Sequence, residues 1–113
     1  FSQLLSEVDQ GRVRDVVIFE DEISTGATVL SSVDILKTAG ARSVHVGAVH
    51  GVLCGPAVER LRNADLETIV VTNTVNRAEE KQLPNLATLT VAPLFAAAIE
   101  RIHSGESVGV LFD

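Results

Sequence analysis

Val16-Val17-Ile18-Phe19-Glu20-Asp21-Glu22-Ile23-Ser24-Thr25-Gly26-Ala27-Thr28 passes from an apolar run through three acids into a short hydroxyl-rich turn. The β-branched and aromatic run Val16 to Phe19 has the pattern of a parallel strand covered on both faces, which predicts a central strand. After the polar loop Glu20 to Gly26, the residues Val29, Leu30, Val33, Ile35 and Leu36 recur with helical spacing as far as Gly40. This predicts a helix of about three turns. A strand that feeds a helix through a small loop is the unit from which parallel α/β sheets are built.

Each part of the loop has a physical task. A phosphate monoester is stabilised where free backbone amides converge at a helix N-terminus, and Ser24 to Thr28 would supply them. Gly26 has no side chain to hold an oxygen away from the backbone, and the hydroxyls of Ser24, Thr25 and Thr28 add donors of little bulk. Glu20 and Asp21 are acceptors when ionised. They could take hydrogen bonds from two sugar hydroxyls, or hold a divalent cation through water. The bland reading makes Thr28 an ordinary N-cap and the acids mere companions of a helix start. Any single element fits that reading; the fixed order of strand, paired acids and Thr-Gly-Ala-Thr turn is much rarer.

On the amino-terminal side, Phe1, Leu4, Leu5 and Val8 fall at helical spacing, closed by Gly11, and a strand is expected from Arg12 to Phe19. On the carboxyl-terminal side, Val44, Val46, Ala48 and Val49 predict a strand, and Pro56 to Leu61 a helix with proline in its first turn. Thr68 to Thr72 and Thr88 to Val91 predict two more strands, and Pro93 to His103 a helix ended by Gly105. Right-handed crossovers would gather the carboxyl ends of the strands along one edge, where sites in such sheets lie. The longest irregular stretch is Asn73 to Asn85.

The 113 residues, 46% hydrophobic, suit one domain. A net charge of -6, with 15 acidic against 9 basic residues and no basic run, argues against a nucleic-acid partner. No apolar segment approaches the roughly 20 residues of a membrane-spanning helix, so no membrane partner is expected. One cysteine, Cys54, forms no internal disulfide, and no secretory leader is evident, which points to the cytoplasm.

Other residues read as structural. His50 closes the second strand and reads as a packing or capping residue, and His45 and His103 have no partner at zinc-ligand spacing. Cys54, in a small-residue loop, reads as buried and inert. Thr72, Asn73 and Thr74 could line the same cleft as the loop, although polar loop residues need no such role. Arg77-Ala78-Glu79-Glu80-Lys81 reads as a solvated helical turn. The run Ala96 to Ala98 permits close packing on the sheet or on a neighbouring subunit, which leaves room for a homo-oligomer.

Residues Val16 to Thr28 resemble the phosphoribosyl-diphosphate motif of the type I phosphoribosyltransferase fold. Four further segments, Ala48 to Ala57, Val70 to Thr74, Leu83 to Leu86 and Ala97 to Val108, are similar to the carboxyl-terminal half of the ribose-phosphate diphosphokinases. The resemblance, from about Val16 to Phe112, implies an open, mostly parallel α/β sheet of four to five strands with helices on both faces. It also implies a half-site for ribose 5-phosphate or phosphoribosyl diphosphate, in a family that transfers diphosphate from ATP with Mg2+ in nucleotide biosynthesis. Carried over, Ser24, Thr25, Gly26, Ala27 and Thr28 would grip the 5-phosphate. Glu20 and Asp21 would contact the ribose hydroxyls and, through them, the metal-bound diphosphate. Ser24 stands where the family usually has aspartate, Ala27 where glycine is common, and Asn73 where aspartate tends to occur.

The resemblance also implies that ATP would be used only together with an amino-terminal half, because the family's ATP-binding half and mobile catalytic loop have no counterpart here. Arg12, Arg14 and Lys37 have no motif placing them at a reaction, so the chain alone is expected to be inactive. Phe1 to Ile18 faintly resembles the non-cytosolic segment of membrane-anchored AAA-type proteases. The single domain, 1–113, is expected to be incomplete, with residues 1–15 a helix and strand start whose origin these resemblances leave open. Besides the enzyme half-site, a non-catalytic regulatory domain or an engineered chimera with an unused loop would carry the same motif.

Overall fold

Nine residues, Asp15–Ile23, form β1, and the computed structural model, which describes residues 1–77 and 81–113, pairs this strand with β2, Ser43–Gly51. The ladder runs from Asp15↔Ser43 through Glu20↔Ala48 to Ile23↔Gly51. β1 therefore begins three residues later than the pattern of apolar residues predicts and continues through the acids. Backbone pairing does not depend on side-chain polarity, and Ile23, 1% exposed, anchors the far end of the strand in the core.

β3, Thr68–Thr72, follows as expected, and β4 lies at Leu86–Leu89, two residues before the expected Thr88 to Val91. All three pairings are parallel, and the order is β1-β2-β3-β4. The open α/β sheet is thus the predicted class. The position of β1 is a correction: it lies at the edge of the described sheet.

Helix α1, Ser2–Asp9, packs on α2, Ala27–Ala39, and α2 packs on α3, Ala57–Asn63. Together with alternate strand residues they enclose one core, which includes Val8, Val33, Leu36, Val44, Val46, Leu61, Ile69 and Val71. Glycines end two of these segments: Gly11 (φ 74°) follows α1, and Gly40 (φ 111°) caps α2.

Among the described residues the opposite face of the sheet is bare. Val17, Val49 and Leu89 are exposed, and Phe19 is 83% exposed with its ring lying over Gly47. The continuous apolar run Val16 to Phe19 is therefore covered on one side only. Helix α4, Ala92–Ser104, buries none of its residues, and Phe95, Ile99 and Ile102 stand exposed along it. A 3-10 turn, Gly109–Phe112, lies against it. The radius of gyration, 17.0 Å, exceeds the about 13 Å of a compact chain of this length. The smallest extent, 18 Å, is that of a sheet carrying a single layer of helices. The turn expected over Arg77 to Lys81 has its middle, 78–80, outside the described residues.

Candidate functional site

Gly26 occupies the N-cap position of α2 with φ 79° and ψ 0°, a left-handed conformation that glycine adopts at no steric cost. The bland reading of Thr28 as N-cap does not hold. Thr28 lies in the first turn, and the helix start has no side-chain cap. The first amides of α2 are thus without partners in their own helix. Here, at the carboxyl end of β1, Glu20 to Val29 line a concavity of about 220 Å³. All seven predicted residues, Glu20, Asp21, Ser24, Thr25, Gly26, Ala27 and Thr28, are among them.

The loop backbone is held from behind. Leu53 N–H donates to the Ile23 carbonyl at 3.0 Å, and Cys54 N–H donates to the Ser24 carbonyl at 2.9 Å. Arg60 Nη1 donates to the Thr25 carbonyl at 3.1 Å. Every peptide among the described residues is trans, so each carbonyl and the amide N–H that follows it point in opposite directions. The amides of Ser24, Thr25 and Gly26 therefore face away from α3 and the segment leading into it. Residues 53–60 take no part in lining the concavity. Three successive donors and the first turn of α2 are aimed to one side, an arrangement that suits an oxyanion.

The side chains are less uniformly available. Thr25 and Thr28 are exposed, whereas Gly26 is buried against Ala57 and Arg60 and offers only backbone. Ser24 is half-buried, and its Oγ lies 3.1 Å from Cys54 Sγ. Asp21 Oδ1 accepts the Glu22 amide at 2.8 Å. Glu20 and Asp21 both line the concavity, at the end of β1. Among the described residues no cluster of three metal-ligating side chains forms. The donor set fits a magnesium ion held by one carboxylate, water and the oxygens of a bound ligand.

No basic side chain among the described residues lines the concavity. β1 spans roughly 26 Å at about 3.3 Å per residue, so Arg12 and Arg14 lie at the far edge of the sheet. Arg12 Nε pairs there with Glu7 at 2.6 Å, and the guanidinium holds the Glu7 carboxyl below its usual range. Arg42 pairs with Asp15 at 2.6 Å, also at that edge, and Lys37 in the last turn of α2 pairs with Asp65 at 3.3 Å.

The neighbouring loop has other work. Thr72 Oγ1 and Thr74 Oγ1 both donate to the Val49 carbonyl, at 2.5 and 3.1 Å, and His50 Nδ1 lies 2.7 Å from Thr74 Oγ1. Asn73 Oδ1 accepts the Val91 amide at 2.9 Å, bracing the entry to α4. These residues tie the ends of the strands together and do not line the concavity. Sequence reasoning missed Arg60. Its position, four residues after Pro56 on a short helix, carries no motif.

A family model described as the phosphoribosyl synthetase-associated domain matches residues 5–113. The chain belongs to that family. Among the relatives of this phosphoribosyl synthetase-associated domain, a ribose-phosphate pyrophosphokinase of Rhodopirellula baltica is 47% identical over 103 residues, which are 91% of this chain and 32% of the relative. One from Mycobacterium leprae is 42% identical over 114 residues, 99% of this chain and 35% of the relative. The crystal structure of a phosphoribosylpyrophosphate synthetase from Mycobacterium smegmatis superposes with a TM-score of 0.81 at 35% identity, over 82% of this chain and 31% of that one. The chain spans about a third of the length of these proteins. Among the described residues no helix is long and apolar enough to cross a membrane.

Proposed function

We propose that the concavity at the head of α2 binds the phosphate of ribose 5-phosphate or of phosphoribosyl diphosphate, as the sugar-phosphate half-site of a ribose-phosphate diphosphokinase. The observation that carries this reading is the backbone orientation: the Ile23, Ser24 and Thr25 carbonyls are drawn to one side, which aims three amides at the other. Ser24 to Thr28 hold the phosphate, and Glu20 or Asp21 receives the ribose hydroxyls. Glu20 or Asp21 would hold Mg2+ in the working enzyme, and the ion would supply positive charge to offset that of the phosphate.

Transfer of diphosphate from ATP requires cations at the reacting groups, and the described concavity has none on its wall. The chain alone therefore binds without catalysing, and ATP is used only together with an amino-terminal half that supplies the nucleotide site. A cytoplasmic setting follows from this chemistry, since sugar phosphates and ATP are its substrates.

The second reading, a non-catalytic regulatory domain, is favoured by Ser24, whose hydroxyl is tied to Cys54 where the resembling enzymes usually carry aspartate. A chimeric origin of the opening segment is less favoured, because the M. leprae relative aligns over 99% of the chain. Calorimetric titration of ribose 5-phosphate, with and without Mg2+, tests the main reading. Weak binding that Mg2+ strengthens and inorganic phosphate competes away is expected, and absence of heat at millimolar ligand rejects it. If binding occurs but ATP consumption stays silent after an amino-terminal half is added, the regulatory reading holds.

A further inference from the structure

The three carbonyls behind the loop are locked in two different ways. The Ile23 and Ser24 carbonyls are held by the backbone amides of Leu53 and Cys54, which no side-chain substitution removes. The Thr25 carbonyl is held by the side chain of Arg60 alone among its described partners. That lock acts on the most permissive joint of the loop, because Gly26, at φ 79°, resists rotation of the Thr25–Gly26 peptide less than any other residue would. A flip of that peptide would turn the Thr25 oxygen toward the concavity and the Gly26 N–H away from it. An acceptor would then face the ligand in place of a donor.

We infer that Arg60 is the positioning residue of the loop: it fixes the Thr25–Gly26 peptide so that the Gly26 N–H faces an incoming phosphate. This inference rests on reading the loop as a phosphate site. Arg60 also sits where its charge is useful. Its Cβ lies 3.7 Å from the point where a Gly26 Cβ would stand, so the stem packs directly behind the loop. A guanidinium behind the loop also sets a positive charge against Glu20, Asp21 and Glu22, which line the concavity. Because the guanidinium contacts a carbonyl and does not line the concavity, it acts through the loop and does not touch the phosphate.

The test compares Arg60→Met, which keeps the apolar stem but removes donor and charge, with Arg60→Lys, which keeps both. Circular dichroism and the unfolding midpoint establish that each variant is folded. Without ligand, the Met variant should move the Thr25 carbonyl-carbon and Gly26 amide-nitrogen resonances, and the Lys variant should restore them. With inorganic phosphate and with ribose 5-phosphate, the Met variant should bind about tenfold more weakly, the loss expected when a charge-assisted hydrogen bond no longer organises the site. The Lys variant should stay within about threefold of the parent. A Met variant whose Thr25 and Gly26 resonances stay in place, or whose affinity equals that of the parent, overturns the inference. If the parent chain itself fails to bind phosphate, the site reading falls, and the ligand-free resonances still decide whether Arg60 sets the peptide.

Discussion

Ser24 Oγ and Cys54 Sγ lie 3.1 Å apart, joining the loop at the head of α2 to the segment that leads into α3. Anything that enlarges the Cys54 side chain must push on Ser24. Alkylation of Cys54 with a maleimide is therefore expected to abolish ribose 5-phosphate binding, and bound ligand to slow the alkylation, as followed by intact mass. Cys54→Ala, which removes the sulfur without adding bulk, should leave affinity within about threefold, because the loop amides are oriented by backbone bonds that remain.

Gly26 and Gly40 both adopt positive φ, at the head and the tail of α2. Alanine at either position meets no steric wall: the nearest atom to a Cβ on Gly26 is Ala57 Cα at 3.6 Å, and nothing lies within 4 Å at Gly40. The cost in both is conformational, about 1–2 kcal/mol in urea unfolding. Only Gly26→Ala should also lose phosphate affinity, since only there does relaxation of the backbone turn an amide of the concavity.

Asp15 accepts hydrogen bonds from Arg42 Nη2 at 2.6 Å and Ser43 Oγ at 2.7 Å. The hydrogen bond from Arg42 is the main cause that lowers its carboxyl below the ordinary 3.8, with Ser43 adding to it. A depressed folded-state pKa gives stability that is present above the unfolded value and lost as pH falls through the folded one. Asp15→Asn should accordingly lower the urea midpoint slightly near neutral pH and converge with the parent as pH falls through the folded-state value, which lies below the ordinary 3.8. A constant difference across that range would contradict the pairing.

The bare sheet face should bind an apolar dye under native conditions. The accessible surface, 7099 Å², exceeds the about 6,000 Å² expected for a compact monomer of 12.0 kDa. Phe19→Glu combined with Leu89→Lys is expected to reduce anilinonaphthalene sulfonate fluorescence without lowering the unfolding midpoint, since both side chains are largely exposed. Leu36→Ala, in the core at 0% exposed, should instead cost about 2–5 kcal/mol.

The elements were largely legible because each signal is local. Helical spacing, Gly11, Gly40 and Gly105 as stops, and apolar runs located α1, α2, α4 and three of the four strands to within a few residues. The loop from Glu20 to Thr28 was legible for the same reason: a left-handed glycine, small hydroxyls and a helix start occupy consecutive positions. The extent of β1 was not. Glu20, Asp21 and Glu22 read as loop, yet pairing with Ala48 to Gly51 carries the strand through them.

By itself, the sequence determined the parallel α/β class and the residues that gather at the head of α2, because both follow from short-range patterns of polarity and backbone preference. Three things were decided only by the tertiary structure: Val17 and Phe19 face outward, Ser24 is tied to Cys54, and Arg60 reaches back to Thr25. Each depends on which segments meet across 30 or more residues, or on which face of a strand finds a neighbour. An apolar run records that a strand can be covered on both sides, and a lone arginine that it can donate. Neither records what the folded chain places beside it.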